Sequence, residues 1–467
     1  MLLSFACSVF FLIAYCSSIT RGAYTETVGD FRNPGNACRP KFRYWLVLNS
    51  KSVMLFTTIA NNWERLPDAS VSHDVLTSDI AGIAGIGAGG IQFVPFYLYG
   101  LPGGGDPPTD WSKYGFGTTE FNNVFRDALQ AAEEAGILVD FALGASQGQG
   151  VPSAPMTPGL AVDLLMGGVN IEAGREFLGP VPPATRPSDN VVRGLFFHHP
   201  QEEFGAPNLT AVTALRVIRS GLVSEDPQQS QIVLDEDSFI DLAPFVSEGS
   251  LKWTAPEGNS TWRIFSFWEH YTNQRSSVGG VDADTVLANG SWTVDHFSKT
   301  GAKRVTDFWD ENILMHNEIL NLLNSVGKYG RQFLAATMGH TLILNNSAWE
   351  DSIEMLAALY WTPGLLQRFE KERNYSLVKC LPAVFGAKNT WGGIFSPYNE
   401  VYSCGKVTTD GESVYNLDYR SFLNTGYQEY MSHFAEWTHA KGLKYSHQPA
   451  YNLPLQMVSH LEAEYWE

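Results

Sequence analysis

The chain has little cysteine and few basic residues, and each shortage argues against a class of protein. Five cysteines stand in 467 residues. No C-x-x-C or H-E-x-x-H spacing is present, which argues against a structural zinc site. Lysine and arginine number 31 against 49 aspartate and glutamate residues, a formal net charge of −18. Because like charges repel, nucleic acid and anionic membranes are disfavoured as partners.

Long apolar runs are also lacking after the N-terminus, where residues 1–15 form one. This run is shorter than the roughly 20 apolar residues that a bilayer crossing needs. We therefore predict a secretory signal peptide over residues 1–23, cleaved between Ser18 and Ala23. A signal peptide usually begins with a positively charged region, and the first residues here carry no Lys or Arg. An N-terminal membrane anchor is therefore the alternative. The prediction places the mature protein outside the cell as a secreted, extracellular protein.

Export leaves an odd number of cysteines in an oxidising compartment. Removal of the signal leaves Cys38, Cys380 and Cys404, which means one disulfide and one spare thiol. We expect the Cys380–Cys404 pair, with Cys38 left over. N-glycosylation sequons agree with export and place glycans on Asn208, Asn259, Asn289, Asn345 and Asn374.

Helices and buried strands alternate in the first third of the chain. Ser72 is a suitable cap for a helix that reaches Ile86, and an apolar strand runs from 91 to 98. Thr118 begins an amphipathic helix that Gly136 ends, and a second apolar strand covers 137–143. This order is typical of parallel β/α units.

The pattern predicts an α/β protein built on a (β/α)8-type barrel. The glycine run at 101–108 has no P-loop lysine, and no dinucleotide fingerprint or G-x-S-x-G elbow is present. A doubly wound sheet is the alternative architecture. We expect the first part of the barrel at 24–190, a β-rich insertion at 191–268 and the barrel's continuation at 269–467.

Three acidic residues follow one predicted strand closely enough to share a site. They are Glu350, Asp351 and Glu354. Carboxylates at a strand end can act as general acid or base, or can ligate calcium. A solvated acidic turn is the alternative interpretation of the same residues.

Two further groups are candidate substrate ligands. After the last predicted strand stand His447, Gln448, Tyr451 and Asn452, which offer hydrogen bonds and an aromatic face to a hydroxyl-rich ligand. The alternative is a loop packed on the rim of the barrel. Asp295 precedes a predicted helix and is either its N-cap or a functional carboxylate.

Together the motifs resemble those of fungal members of glycoside hydrolase family 106, the α-L-rhamnosidases. The resemblance covers most of residues 30–455, and several short stretches carry it. These are residues 31–45, 66–71, 87–93, 110–117, 251–263, 294–298 and 349–354.

The resemblance implies a (β/α)8 catalytic domain that removes terminal α-L-rhamnose from plant glycans or glycosides with inversion. Inverting enzymes use two carboxyl groups about 6.5–9.5 Å apart. Carried over, Glu354 is the general acid, Glu350 or Asp351 binds calcium or substrate, and the partner is a carbohydrate. The alternative function is a non-catalytic secreted carbohydrate binder or an inactive fragment of such a hydrolase.

The chain also departs from the family pattern. Residues 46–65 and 331–348 separate motifs that are adjacent in the family, and we interpret both as translated introns. After residue 452 the sequence no longer follows the pattern. The resemblance therefore implies a truncated or mis-spliced chain, with the second catalytic carboxylate and the β-sandwich domains lying further downstream.

Overall fold

The computed structural model describes the greater part of the chain from residue 36 onward. The described residues are 36, 39–45, 72–94, 113, 115–145, 150–185, 204–222, 230–274, 291–315, 317–326, 346–351, 353, 355, 357–385, 389, 398–409, 411–447 and 465–466. The predicted signal at 1–23, the first insert at 46–65 and Cys38 lie outside them. No helix among these residues is long and apolar enough to cross a bilayer.

A parallel sheet of six strands organises the α/β part. Its strands pair in the order β1, β2, β3, β13, β16 and β17, and every pairing is parallel. The strands are Lys41–Trp45 (β1), Gly90–Val94 (β2), Leu138–Ala142 (β3), Ser347–Glu350 (β13), Lys444–His447 (β16) and Tyr465–Trp466 (β17).

The spatial order of these strands follows their order in the chain. A doubly wound sheet reverses direction at a switch point, whereas a barrel adds each strand beside the last. The described strands therefore have the order of a (β/α) barrel, and the doubly wound alternative does not fit them. They form a half-barrel sheet, and a complete eight-stranded barrel stays a prediction.

Six α-helices are described, and the first two lie where hydrophobic periodicity and capping residues predict them. The six are His73–Gly85 (α1), Thr119–Ala135 (α2), Lys299–Phe308 (α3), Asn317–Ser325 (α4), Leu365–Arg373 (α5) and Val414–Ala440 (α6). Ser72 accepts a hydrogen bond from Val75 N, and Thr118 accepts one from Phe121 N. Gly136 ends α2 at φ +67°, a conformation that glycine adopts without strain. Ile86 departs from the predicted α1 stripe, because it is 71% exposed beyond the end of the helix.

An antiparallel system packs beside the half-barrel. Its main sheet has the order β14, β5, β11, β7, β8 and β15, with smaller sheets of β6, β10, β9 and of β4, β12. The strands are Gly150–Pro152 (β4), Val162–Glu172 (β5), Glu176–Pro180 (β6), Asn208–Leu222 (β7), Ser230–Asp241 (β8), Val246–Ser247 (β9), Ser250–Thr254 (β10), Thr261–Tyr271 (β11), Ser291–Thr293 (β12), Tyr360–Trp361 (β14) and Glu400–Ser403 (β15).

This system is wider than the predicted insertion at 191–268. It includes β5 and β6 before residue 191, and β14 and β15 come from after β13. Tyr398, two residues before β15, contacts β5, since its OH accepts a 2.7 Å hydrogen bond from Met166 N. Strand pairing between segments far apart in the chain decides such a boundary, and local composition does not record it.

The structure also bears on the cysteines and on the end of the second insert. Cys380 and Cys404 form a disulfide, as expected. The second insert, predicted as 331–348, ends too late, because Ser347 and Ala348 belong to β13. Asn346 also bonds into the sheet, accepting a 2.9 Å hydrogen bond from Val139 N. Residues 331–345 lie outside the described part of the chain.

Candidate functional site at the carboxyl ends of the parallel strands

Glu350 is the last residue of β13 and points toward the helices. Side chains alternate along a strand, and Trp349 packs with Val94 and Ala142 on the opposite face of the sheet. Glu350 instead contacts Tyr430 of α6 and Tyr445 of the neighbouring β16. The sheet therefore has a helix-facing side, which carries Glu350, and an inner side, which carries Trp349.

The Glu350 carboxyl group is enclosed by hydroxyl donors. Tyr430 OH donates to Oε1 at 2.6 Å, and Tyr445 OH donates to Oε2. The side chain is only 1% exposed. Burial raises the pKa of Glu350 to about 7, although the two tyrosine hydrogen bonds oppose that rise. The group can therefore hold a proton up to near-neutral pH.

His296 brings a neutral imidazole to the same carboxyl group. Its Nδ1 lies 2.8 Å from Val294 O, which assigns the proton to Nδ1. Burial lowers the pKa of His296 to about 4. Its Nε2 lies 3.9 Å from Glu350 Oε1 and has no hydrogen-bond partner in the described part of the structure. An unprotonated nitrogen thus faces the Glu350 carboxyl group from just beyond hydrogen-bond distance.

His447 joins this group through strand register. It pairs with Glu350 across β13 and β16, so both side chains share the helix-facing side. Its ring stacks on Tyr445 at 5.7 Å between centroids. Burial lowers the pKa of His447 to about 4, so this imidazole is neutral as well.

Asp295 is buried beside α3 and does not cap it. Ser298 is the N-cap and accepts a hydrogen bond from Gly301 N, so the N-cap interpretation of Asp295 is wrong. Asp295 Oδ2 accepts from Thr362 Oγ1 at 2.6 Å, and Oδ1 accepts from Phe297 N at 2.9 Å. Burial raises the pKa of Asp295 in spite of these bonds. A substrate-binding role for Asp295 stays a prediction.

The structure therefore brings together some of the predicted site residues. Glu350 and His447 are cross-strand neighbours, and Asp351 follows directly and raises the pKa of Glu350 by its charge. Four predicted residues lie outside the described part of the chain, namely Glu354, Gln448, Tyr451 and Asn452.

Sequence reasoning missed His296, Tyr430 and Tyr445. His296 stands in the 294–298 motif beside Asp295, so the motif itself was a signal. Tyr430 is one of several buried aromatic residues of α6, where a tyrosine is indistinguishable from an ordinary core residue. Tyr445 carries no signal beyond its place in the last predicted strand.

The described residues do not form a calcium site. Both oxygens of Glu350 already accept a tyrosine hydroxyl, whereas calcium takes 6–8 oxygen ligands. No three His, Cys, Asp or Glu side chains converge on one point within the ranges that the structure covers. Calcium stays a prediction from the resemblance, and no chemical step below depends on it.

The inner side of the sheet carries charged residues of β1 to β3. Lys41 Nζ lies 2.6 Å from Asp140 Oδ2, and Asp140 Oδ1 accepts a 3.0 Å bond from Ser347 N. Arg43 Nε donates to Gln92 Oε1 at 3.2 Å. The Arg43 guanidinium also lies over the Trp349 ring, 4.6 Å from its centroid. We call Lys41, Arg43, Gln92, Asp140 and Trp349 the inner-face cluster.

The predicted glycosylation sites that are described lie on the surface. Asn208 begins β7, Asn259 lies in the β10–β11 loop and Asn374 follows α5, and all three are exposed. Asn289 and Asn345 lie outside the described residues. Surface exposure permits glycosylation at the first three asparagines.

Comparisons with known proteins give little further information. No protein-family model matches the chain, and no curated protein matches it. A rhamnosidase from Novosphingobium sp. PP1Y is among the solved structures that match, with 13% identity and a TM-score of 0.46. The match covers 90% of this chain, which spans 46% of that protein. Because a TM-score below 0.5 does not establish a shared fold, the fold assignment depends on the strand order alone.

Proposed function

We propose that this chain is the barrel portion of a secreted glycoside hydrolase that acts on a carbohydrate substrate. The observation that carries the proposal is a protonatable carboxyl group at the carboxyl end of parallel strands arranged in chain order. Enzymes with this arrangement perform their chemistry at that edge of the sheet. A carboxyl group whose pKa lies near 7 can keep a proton at this edge of the sheet at near-neutral pH, although Glu350 itself is enclosed by protein.

The finer proposal is α-L-rhamnoside hydrolysis with inversion, and its support comes from the sequence motifs. Glu354 of the Asp-Ser-x-Glu motif is the proposed general acid, which protonates the leaving oxygen. Glu350 is four positions earlier and contacts the protein on all sides, so we assign it a positioning role at the end of β13. The neutral imidazole of His296, whose Nε2 lies 3.9 Å from Glu350 Oε1, helps to hold Glu350 in place.

The proposal is tested by hydrolysis of aryl glycosides. The secreted protein is assayed with p-nitrophenyl α-L-rhamnoside and with a panel of other p-nitrophenyl hexosides. We expect release from the rhamnoside that Glu354→Gln abolishes. Glu134→Gln, on the exposed side of α2, is the matched control and keeps full activity. Release that survives Glu354→Gln contradicts the assignment of the general acid.

A non-catalytic carbohydrate binder is the second candidate, and one observation favours it. Glu350 is closed off by Tyr430 and Tyr445 and is 1% exposed, so no substrate atom reaches its carboxyl group in this conformation. Glycan-array binding without release of any aryl sugar supports this candidate. Measurable turnover on any panel member argues against it.

Secretion, glycosylation and calcium binding are part of the same proposal. The Cys380–Cys404 disulfide supports export, because such bonds persist in oxidising compartments. Expression in a secreting host should give a protein cleaved between Ser18 and Ala23, as read by N-terminal sequencing. Its electrophoretic mobility should change after treatment with an N-glycosidase, and a chelator should lower its melting temperature if calcium is bound.

A further inference from the structure

The chain that leaves β13 joins the antiparallel sheet shortly afterwards. Glu350 ends β13, and Tyr360–Trp361 form β14, which pairs with β5. We call residues 357–362 the return segment. Glu354 stands four residues after Glu350 and four before Ala358, so its Cα atom can lie no farther than about 14 Å from either of theirs. The place of the return segment therefore limits the place of Glu354.

Asp163 on β5 holds the return segment by its backbone. Its Oδ2 accepts a 3.0 Å hydrogen bond from Ala358 N, and Leu164 N on the same strand donates to Leu359 O at 3.2 Å. Asp163 is 4% exposed, so water competes little for its carboxyl group. A hydrogen bond in such surroundings is stronger than the same bond in water.

The other oxygen of Asp163 contributes little to the fold. Oδ1 is buried and has no hydrogen-bond partner in the part of the chain that the structure describes, and His270 Nδ1 lies 3.8 Å from it. A buried polar atom without a hydrogen bond costs free energy. Within the described residues, the bond to Ala358 N is therefore what requires an acceptor at position 163.

Glu269 on β11 holds the same segment from the opposite face of the sheet. His270 pairs in register with Asp163, so these two side chains share a face. Glu269 comes one residue earlier and points to the other face. Its Oε2 accepts a 3.0 Å hydrogen bond from Trp361 Nε1. The return segment is thus bonded on both faces of the antiparallel sheet.

Two further bonds reach the return segment from the helical side of the molecule. Tyr419 OH on α6 donates to Tyr360 O, and Thr362 Oγ1 donates to Asp295 Oδ2 at 2.6 Å. A strand of only two residues is therefore held by side-chain bonds to four different parts of the chain. Catalytic groups act only when the surrounding structure fixes them closely, and this segment has such support.

We propose that Asp163 and Glu269 are positioning residues, which hold the return segment against β5 and β11 and so set the place of the Glu354 carboxyl group. The inference deepens the proposed function and rests on it, because Glu354 is the general acid assigned there. Under this proposal the antiparallel sheet acts on the reaction through the backbone of the return segment.

The first test measures hydrogen exchange of the backbone amides of the return segment by mass spectrometry. Asp163→Leu keeps a branched side chain and removes the acceptor of Ala358 N, so exchange should become about tenfold faster. Asp163→Asn keeps an acceptor and should exchange as the unchanged protein does. Ser266→Ala is the matched control, because it removes a buried 2.6 Å bond from β11 to Pro182 O and should leave the return segment unaffected.

A second variant tests the opposite face and does not depend on the folding of Asp163→Leu. Trp361→Phe keeps an aromatic ring and removes the N–H that Glu269 accepts. We expect faster exchange in the return segment here as well. The melting temperature of each variant shows that it is folded.

The second test compares leaving groups of different basicity. A misplaced general acid slows cleavage most where the leaving oxygen most needs a proton. In Asp163→Leu we therefore expect kcat to fall about tenfold or more for phenyl α-L-rhamnoside and less for the p-nitrophenyl rhamnoside, with little change in KM. A variant that is only less stable loses the same fraction of activity with both substrates. Asp163→Asn should restore the ratio of the unchanged protein.

Two results overturn the inference. One is unchanged exchange of the return segment in both Asp163→Leu and Trp361→Phe, and the other is an equal loss of kcat with the two leaving groups. An active enzyme that gives either result keeps the proposed function and loses the positioning residues. A protein that cleaves neither glycoside loses the proposed function, and hydrogen exchange alone then decides whether Asp163 and Glu269 hold the return segment.

Discussion

The two sides of the parallel sheet treat their ionisable residues in opposite ways. On the inner side, Lys41 and Asp140 form an ion pair at 2.6 Å, and Arg43 remains exposed over Trp349. On the helix-facing side, Glu350 has tyrosine hydroxyls and a neutral histidine around it and no cation among its described contacts. The difference shows that one sheet can stabilise a buried acid in two ways. On one face the acid is ionised and paired with a cation, and on the other it is kept protonated.

The reason lies in solvation. The inner side has a basic residue within reach of each buried acid, so the charged forms compensate each other. The helix-facing side is dry and aromatic, and a charge there has only hydrogen bonds to replace water. Glu350 consequently favours its protonated form, and this side of the sheet is sensitive to pH.

The largest effect should follow loss of the Glu350 carboxyl group. Glu350→Ala leaves the Tyr430 and Tyr445 hydroxyls without their acceptor and opens a cavity, so we expect about 3–5 kcal/mol lower free energy of unfolding. Glu350→Gln keeps an acceptor and should lose about 1–2 kcal/mol. Urea unfolding followed by circular dichroism measures the unfolding free energy of both variants. Equal losses in the two variants would mean that the hydrogen bonds from Tyr430 and Tyr445 to Glu350 contribute little to stability.

The pH dependence of stability should differ between the protein and Glu350→Gln. The pKa of Glu350 is raised to about 7 in the folded state from 4.5, so the folded state retains a proton that the unfolded chain releases. Stability from this group is full below pH 4.5 and is lost as the pH rises through 7, by about 3 kcal/mol.

His296 and His447 change the stability with pH in the opposite direction to Glu350. Their pKa values are lowered to about 4 from 6.5, so their contribution is lost as the pH falls from 6.5 to 4. Both histidines remain in Glu350→Gln, and the difference between the two unfolding curves isolates Glu350. A difference that stays constant from pH 4.5 to 7.5 would mean that Glu350 is ionised throughout.

A smaller loss should follow removal of the cation on the inner side. Lys41→Met leaves the Asp140 carboxylate, which is 4% exposed, without its ion pair. We expect about 2 kcal/mol lower stability, less than for a fully buried pair because Lys41 is 26% exposed. Lys41→Met combined with Asp140→Asn should recover part of this loss, and a strictly additive double-mutant cycle would show that the pair is not coupled.

The smallest effect should come from Arg43. It is exposed, and its stacking on Trp349 is worth about 0.5–1 kcal/mol. Arg43→Gln should therefore change the unfolding free energy by no more than that. A stability loss larger than that of Lys41→Met would make Arg43 a structural residue. Arg43 would then contribute more to stability than the Lys41–Asp140 ion pair on the same face.

Much of the local structure could be predicted, and much of the site could not. Ser72, Thr118 and Gly136 define the ends of α1 and α2 within a few residues of sequence, because capping depends only on near neighbours. The Glu350 surroundings come from Tyr430 and Tyr445, which are 80 and 95 positions away. No local pattern records such contacts, and both tyrosines read as core residues.

The same distinction explains the wrong N-cap interpretation of Asp295 and the extent of the antiparallel sheet. Asp295 stands three residues before Ser298, and both are good N-caps, so only the backbone conformation chooses between them. The antiparallel sheet takes β14 from Tyr360–Trp361 because that segment pairs with β5, almost 200 residues earlier. Pairing over such a separation is set by packing.

The sequence by itself determined the alternation of helices and strands and the caps of α1 and α2, and it favoured the Cys380–Cys404 pair over the two pairs that include Cys38. These follow from hydrophobic periodicity, from near-neighbour hydrogen bonds and from the small number of cysteines. Only the tertiary structure decided that Glu350 faces the helices and that Trp349 faces Arg43. Adjacent residues of a strand point to opposite faces, and the neighbours that complete each face come from strands and helices far along the chain.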